Sequence, residues 1–391
     1  MAGRGRRRTK EQPLSAPDAQ DLPAQFRRVR LADRTAPGSA PSPGVARARG
    51  LPWEMDPASA PPTGRSFTPG GVRRHEMSDA IRDTTARRVR HFVDAGYPDA
   101  GPVEAAVEGT VYRLGDGTVA KVWERRRGSE LRRMQRFYAD AAAHLPLGSP
   151  EILAVEDIDG VPMTVERELT GEPLAGRIRT DDPDEVLPEA VDCLVGVLRA
   201  LADAHDVDEV KHLPVLDEER PLWEGHTTFG SALADLVDRR VGRCADRLST
   251  HVRDFDDTRA RLLRKLRSLP RTDEAVVHGD VFPETVLVDD DLRPLALVDY
   301  GFLSTAGDPR FDAAVAAAIF PAGAERALEI TRQLTTRFAD EFGYAVDDLL
   351  LYQAAYAMAT SDAFAPGGGD EHFAWCVTVL EDPAVAESLH R

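Results

Sequence analysis

The stretch that organises the chain is Val277-His278-Gly279-Asp280-Val281-Phe282-Pro283-Glu284-Thr285-Val286-Leu287-Val288-Asp289. Leu297-Val298-Asp299-Tyr300-Gly301 follows at short range, and then Gly307-Asp308-Pro309-Arg310-Phe311-Asp312. The middle reads as a hairpin, with hydrophobic runs Val286–Val288 and Leu295–Val298 around Asp289-Asp290-Asp291. Asp280 stands on a loop before the hairpin and Asp299 beside a glycine after it, so the two carboxylates can face one pocket. In such a pair, one acid can orient or deprotonate an attacking hydroxyl while the other holds Mg²⁺ against phosphates.

Upstream, β-rich runs occur at Val103–Val107, Thr110–Leu114 and Thr118–Trp123, the last two joined by Gly115-Asp116-Gly117. A helix is predicted from Ser129, with Leu131, Met134, Phe137 and Tyr138 at helical spacing, followed by strands at Ile152–Glu156 and Val161–Glu166. Beyond residue 170 the pattern turns helical. Pro188 suits a first helical turn, and Val191, Leu194, Val195, Leu198 and Leu201 form one face. Further helices are expected over about 228–268, 309–320, 323–341, 346–361 and 370–381. The class is α+β.

Before this, residues 1–76 are rich in Arg, Pro, Ala, Gly and Ser and lack sustained apolar periodicity, which predicts a disordered tail. Two readings of it stay open: a real basic arm, or sequence upstream of a true start at Met77. Ser78 is placed to cap the first helix, whose face carries Ile81, Val89, Phe92 and Val93. Three units follow: the tail over 1–76, a smaller lobe over 77–166 and a larger one over 167–391.

The tail holds 14 Lys+Arg against 7 Asp+Glu, so a chain of net charge −17 leaves −24 on residues 77–391. A body that acidic repels a phosphate backbone, which argues against nucleic acid as partner. The longest uncharged apolar run, Ala313 to Ala324, is too short for a bilayer, and no secretory signal is readable. Cys193, Cys244 and Cys376 are far apart and odd in number, which predicts reduced thiols in a cytoplasmic protein. The chain contains 4 lysines, 45 arginines and no asparagine.

On the His278-Gly279-Asp280 block, Asp299-Tyr300-Gly301 and the strand order ahead of them, the chain resembles the aminoglycoside phosphotransferase and choline kinase family. The likeness is close over about residues 103–320. It implies a protein-kinase-like two-lobed fold, with a five-stranded antiparallel small lobe and a mainly helical large lobe. It also implies phosphoryl transfer from ATP, with Mg²⁺, to a hydroxyl of a small molecule. Carried over by position, Asp280 is the catalytic base, His278 braces its loop, and Asp299 is the Mg²⁺ ligand. Lys121 contacts the α/β-phosphates and Glu130 is its ion-pair partner. Gly109 and Thr110, with Glu108, form the loop over the phosphates, and Thr164 to Leu169, including Glu166, form the hinge that meets adenine.

The departure is Thr285, which stands where the family has a metal-binding asparagine. Its hydroxyl, or the neighbouring Glu284, is then expected to take that place. Two other readings remain: a kinase of peptide Ser or Thr, and a nucleotide-binding scaffold that has lost catalysis. Asp308 is expected to be structural. Asp347-Asp348, Asp362 and Asp370-Glu371 read either as selectors of a cationic acceptor or as plain solvated surface.

Overall fold

The computed structural model describes residues 74–106, 109–178, 185–321 and 326–391. The expected tail lies outside them except at its end, where α1 (Arg74–Asp94) has already begun. Ser78 is therefore inside the helix and not its cap.

Strands β1 (Gly101–Ala106), β2 (Gly109–Arg113), β3 (Thr118–Trp123), β4 (Ile152–Ile158) and β5 (Val161–Arg167) form one antiparallel sheet in the order β1-β2-β3-β5-β4. Helix α2 (Gly128–Ala141) stands between β3 and β4, so three strands, a helix and two strands follow each other as the patterning predicts. Alternation along each strand separates two faces. Tyr112, Ala120, Val122 and Met163 pack on one face against Phe92 of α1, whose ring lies 5.2 Å from that of Tyr112. Lys121 and its register partner Thr164 belong to the other face. On that side the α2 residues Leu131, Met134, Phe137 and Tyr138 join Trp123 in the main core, which continues into the helical lobe.

The larger lobe starts with β6 (Glu172–Pro173) and the single turn α3 (Leu174–Arg177). In α4 (Pro188–Ala202), Pro188 occupies the first turn and all five expected face residues are buried. The helical stretch expected over 228–268 is divided into α5 (Phe229–Val241), α6 (Ala245–His251) and α7 (Phe255–Ser268). The second break falls where Asp254 adopts a left-handed φ of 49°. Two further short strands, β7 (Ala275–Val277) and β10 (Thr305–Gly307), pair with each other, on either side of the hairpin β8 (Val286–Val288) and β9 (Pro294–Leu297). Both are three-residue runs buried throughout, so neither shows the alternation that marks a strand in sequence.

The chain ends with α8 (Arg310–Ile319), α9 (Ala327–Phe342), α10 (Val346–Thr360), α11 (Glu371–Leu380) and α12 (Pro383–His390). Every α10 residue from Leu349 to Thr360 is buried, which makes it the axis of the lobe. Among the described residues no helix is long and apolar enough to cross a membrane. The three cysteines are free and buried.

The packing of α1 makes it part of the small lobe. Truncating Phe92, 2% exposed, to alanine should cost about 3 kcal/mol by chemical denaturation, whereas Val93→Ala, at 42% exposure, should stay within about 0.5 kcal/mol. Equal effects would show that α1 does not seal the sheet.

Candidate active site

The β8–β9 hairpin brings the two acids of the motif together. Val286 pairs with Leu297, and the Val298 N–H donates to the Thr285 carbonyl at 2.9 Å, so the chain enters and leaves the hairpin side by side. Asp280 stands on the entering loop and Asp299 on the leaving one. Pairing of Val277 with Thr305 likewise draws Ser304 under the loop, where its hydroxyl donates to the His278 carbonyl at 2.8 Å.

A loop without regular structure must still satisfy its backbone donors. The N–H groups of His278 and Gly279 donate to the Asp312 carboxylate at 2.8 and 2.7 Å. Gly279 has φ of +77°, and a Cβ there would meet that of Leu303 at 2.5 Å, so only glycine allows the turn that presents Asp280. His278 is fully buried. Its Nε2–H donates to the Val298 carbonyl at 2.9 Å, and its Nδ1 accepts the Asp280 N–H at 3.2 Å. Both contacts suit a neutral imidazole, and burial lowers its pKa to about 4. His278 thus lies in the bracing position that the sequence suggests.

Asp280 is half-buried, and its carboxyl is pushed up to about 7, first by burial and then by the carboxylates of Asp299, Asp312 and Glu284. A hydrogen bond with the Tyr356 hydroxyl works in the opposite sense. Asp299 is exposed and has a left-handed φ of 62°, which is uncommon for a residue with a Cβ. What holds it there is the next residue. Tyr300 is buried, with its ring 4.4 Å from His278, 5.1 Å from Phe137 and 5.9 Å from Tyr138.

Lys121 reaches this group from β3. Its Nζ is 3.7 Å from the Asp299 carboxylate and 3.9 Å from the centre of the Trp123 ring. Glu130 does not hold it: at the start of α2, its carboxylate accepts the Arg127 N–H at 3.4 Å, meeting one of the unpaired donors of the helix end. The carboxylate beside Lys121 on the sheet is Glu166, which accepts from the Thr164 hydroxyl at 2.5 Å and feels the lysine charge. Thr164 through Arg167 lie within β5, so only the residues around Leu169 link the lobes, a correction to the expected hinge.

Gly109 opens β2, where a Cβ would come within 1.8 Å of the Val122 carbonyl oxygen. Glu108 lies outside the described residues. Thr110 pairs with Val122, which puts it on the α1 face of the sheet, opposite Lys121.

Thr285 is also placed differently from expectation. The side chain is 1% exposed and its hydroxyl lies 3.0 Å from the Phe282 carbonyl, 3.3 Å from the Asp280 carbonyl and 3.2 Å from the Phe282 N–H. It closes the loop on itself and does not point into the pocket. Glu284 is exposed and close enough to raise the Asp280 pKa.

Asp312, Ser304 and Tyr356 were not singled out from sequence. Asp312 carried a signal, as the one charged residue between Phe311 and Ala324. Tyr356 carried a weaker one: with Tyr352 it forms an i, i+4 pair on an apolar helix. Tyr352 donates to Asp308 at 2.9 Å while Tyr356 meets Asp280. Asp308 is structural as expected, holding Arg310 at 2.9 Å besides Tyr352.

Two outcomes follow from the bracing. Asp312→Ala leaves two buried N–H groups unpaired, so it should cost about 2–5 kcal/mol in denaturant unfolding, with Asp312→Asn between it and wild type. His278 makes stability fall as pH drops from about 6.5 towards 4, because the unfolded imidazole takes up a proton that the folded one refuses. That loss should approach roughly 3 kcal/mol. The raised carboxyls of Asp280 and Asp312 act in the opposite direction over the same range, so the test is the difference in pH slope between wild type and His278→Gln. Parallel slopes would show that His278 is not buried neutral.

The profile of the phosphotransferase enzyme family (APH) matches residues 99–349. No curated protein matches the chain in sequence. Among solved structures, the chain is similar to an aminoglycoside phosphotransferase of Streptomyces rimosus in complex with ADP and streptomycin. Identity is 16%, 70% of this chain and 98% of that one are covered, and the TM-score is 0.41. It is also similar to a macrolide 2'-phosphotransferase of Brachybacterium faecium, with 19% identity, coverage of 78% and 99%, and a TM-score of 0.42. With the match extending over more than half its length, from ahead of the small sheet into α10, the chain belongs to the phosphotransferase enzyme family.

Proposed function

We propose that the protein transfers the γ-phosphoryl group of ATP to a hydroxyl of a small molecule, in the cytoplasm where ATP is supplied. The observation that carries this reading is the meeting, at one end of the hairpin, of a braced Asp280 with an Asp299 paired to Lys121. Asp280 accepts the proton of the acceptor hydroxyl. The acceptor oxygen forms its bond to the γ-phosphorus while the bond from that phosphorus to the β–γ bridging oxygen breaks and ADP leaves. Lys121 holds the α/β-phosphates, with Glu166 beside it to fix the ammonium. Positioning and charge are most of what this chemistry requires.

Among the described residues no three or more His, Cys, Asp or Glu side chains form a ready-made metal cage. That suits Mg²⁺, which usually takes one or two carboxylates and completes its shell with phosphates and water. The carboxylates that would hold it are those of Asp299 and Glu284, whose closeness to Asp280 is registered in its raised pKa. Bound there, Mg²⁺ would neutralise phosphate charge. Thr285 does not fit, because its hydroxyl is taken up by the loop backbone.

The test is Mg²⁺-dependent ADP formation over a panel of small-molecule alcohols, amino sugars and aminoglycosides. Asp280→Ala should lower kcat by about 10²–10⁴-fold. Thr285→Asn should lower the Mg²⁺ concentration for half-maximal rate, by about tenfold if the added carboxamide contributes some 1.4 kcal/mol. ADP formation indifferent to Asp280→Ala would sink the reading and favour a nucleotide-binding scaffold.

A further inference from the structure

The net charge of the body suggested acidic side chains that would choose a cationic acceptor. In the structure four of those five side chains already have partners. Asp347 pairs with Arg391 at 2.7 Å and Asp348 with Arg310 at 2.5 Å. Asp362 is buried between Arg240 at 2.6 Å and Arg243 at 2.7 Å. Asp370 accepts the Phe373 N–H at 2.8 Å as the cap of α11. A carboxylate already matched by a guanidinium or spent on a helix end offers little field to an incoming ammonium.

What extends from Asp280 instead is a row of rings. Tyr356, hydrogen-bonded to Asp280, lies 6.3 Å from His372. His372 meets Phe364 edge-on at 4.9 Å, and Phe364 stacks on Phe302 at 5.7 Å with 5° between the planes. Phe302 is three residues past Asp299 in the chain. Burial lowers the His372 pKa, against the opposing pull of the Asp370 charge and of the hydrogen bond to Thr360.

Phe364 is 65% exposed, the most exposed large hydrophobic side chain among the described residues. It is not there because its loop is loose. Two residues before it, Asp362 is locked between the two arginines, and four residues after it the Gly368 carbonyl accepts from Arg247 at 2.5 Å. Gly367, Gly368 and Gly369 all have positive φ, a tight return that only glycine follows without strain. The fold thus fixes an aromatic side chain in water within the row of rings that starts at Asp280, which exposes apolar surface that a bound partner would cover.

We propose that Phe302, Phe364 and His372, with Tyr356 buried behind them as the link to Asp280, form the acceptor-recognition surface, and that it takes an uncharged, hydroxyl-bearing molecule with an aromatic or apolar face. This inference rests on the phosphotransfer reading for its choice of occupant. The rings do not box a cation, since Phe302 and Phe364 lie flat on each other and His372 meets Phe364 edge-on. They offer one apolar strip against which a planar group can lie with its hydroxyl towards Asp280.

The experiment is calorimetric and saturation-transfer NMR titration of the full chain with 4-nitrophenyl β-D-glucoside as neutral aryl probe, and with neomycin and choline as cationic probes. The glucoside should bind saturably and more tightly than either cation, and Phe364→Ala should weaken it about fivefold or more while Phe364→Leu keeps most of the affinity. Tighter binding of neomycin or choline, no saturable glucoside binding, or glucoside binding indifferent to Phe364→Ala would overturn the proposal. The two readings fail separately. Glucoside binding sensitive to Phe364, without turnover that depends on Asp280, removes phosphoryl transfer and keeps the surface. Asp280-dependent turnover of cationic acceptors alone, with KM unchanged by Phe364→Ala, removes the surface and keeps the phosphotransferase.

Discussion

The loop that presents Asp280 depends on a buried carboxylate. Asp312, 1% exposed in the first turn of α8, receives two backbone N–H groups that no strand or helix could satisfy. Burying a carboxylate is costly, and the cost shows in a pKa raised to about 7. Two donors and the positive end of a helix offset it. In return, the loop is fastened at the residues where Gly279 turns, and Asp280 projects from a fixed base.

From that anchor the bracing passes outward through contacts that share atoms. The His278 carbonyl accepts from Ser304, and the Ser304 hydroxyl accepts in turn from the Gly301 N–H at 2.8 Å. The His278 ring supports Tyr300, and Tyr300 leans on Phe137 and Tyr138 of α2. The unusual φ of Asp299 is therefore stabilised from both lobes, because the ring that follows it is wedged between the large-lobe loop and the small-lobe helix. Strained backbone at a site of this kind persists only where its surroundings over-determine it.

Much of this was legible in the sequence, and what was not has physical reasons. The alternation of β3 and the spacing of Leu131, Met134, Phe137 and Tyr138 announce the small lobe because one face of each element is buried. β7 and β10 lack any such contrast, being buried on every side. Asp280, Asp299, His278 and Lys121 stood out by motif, and the structure brings them together. The partner of a residue is harder to read than the residue. Glu130 has the right type in the right helix, yet it is spent on a backbone donor, while Glu166, expected in the hinge, lies in β5, where it feels the lysine charge. The acidic surface misleads in the same way, since net charge counts carboxylates without showing which of them arginines already hold.

Thr285 separates two tasks that a longer side chain could perform together. One is to tie the loop, which its hydroxyl does through the Asp280 and Phe282 carbonyls. The other is to reach a ligand in the pocket. A β-branched side chain has one short polar arm and few rotamers, and here that arm is committed and buried. On the phosphotransfer reading, the second task then falls to Glu284, the neighbour exposed at the mouth of the site, together with Asp299. A carboxylate on a longer stem brings a full charge where a neutral group would bring a dipole. It would strengthen the hold on a cation and, with no cation near, add to the burial and repulsion that raise the Asp280 pKa. Thr285 thus keeps the loop tied, while on the same reading the charge state of Asp280 depends on what fills the pocket.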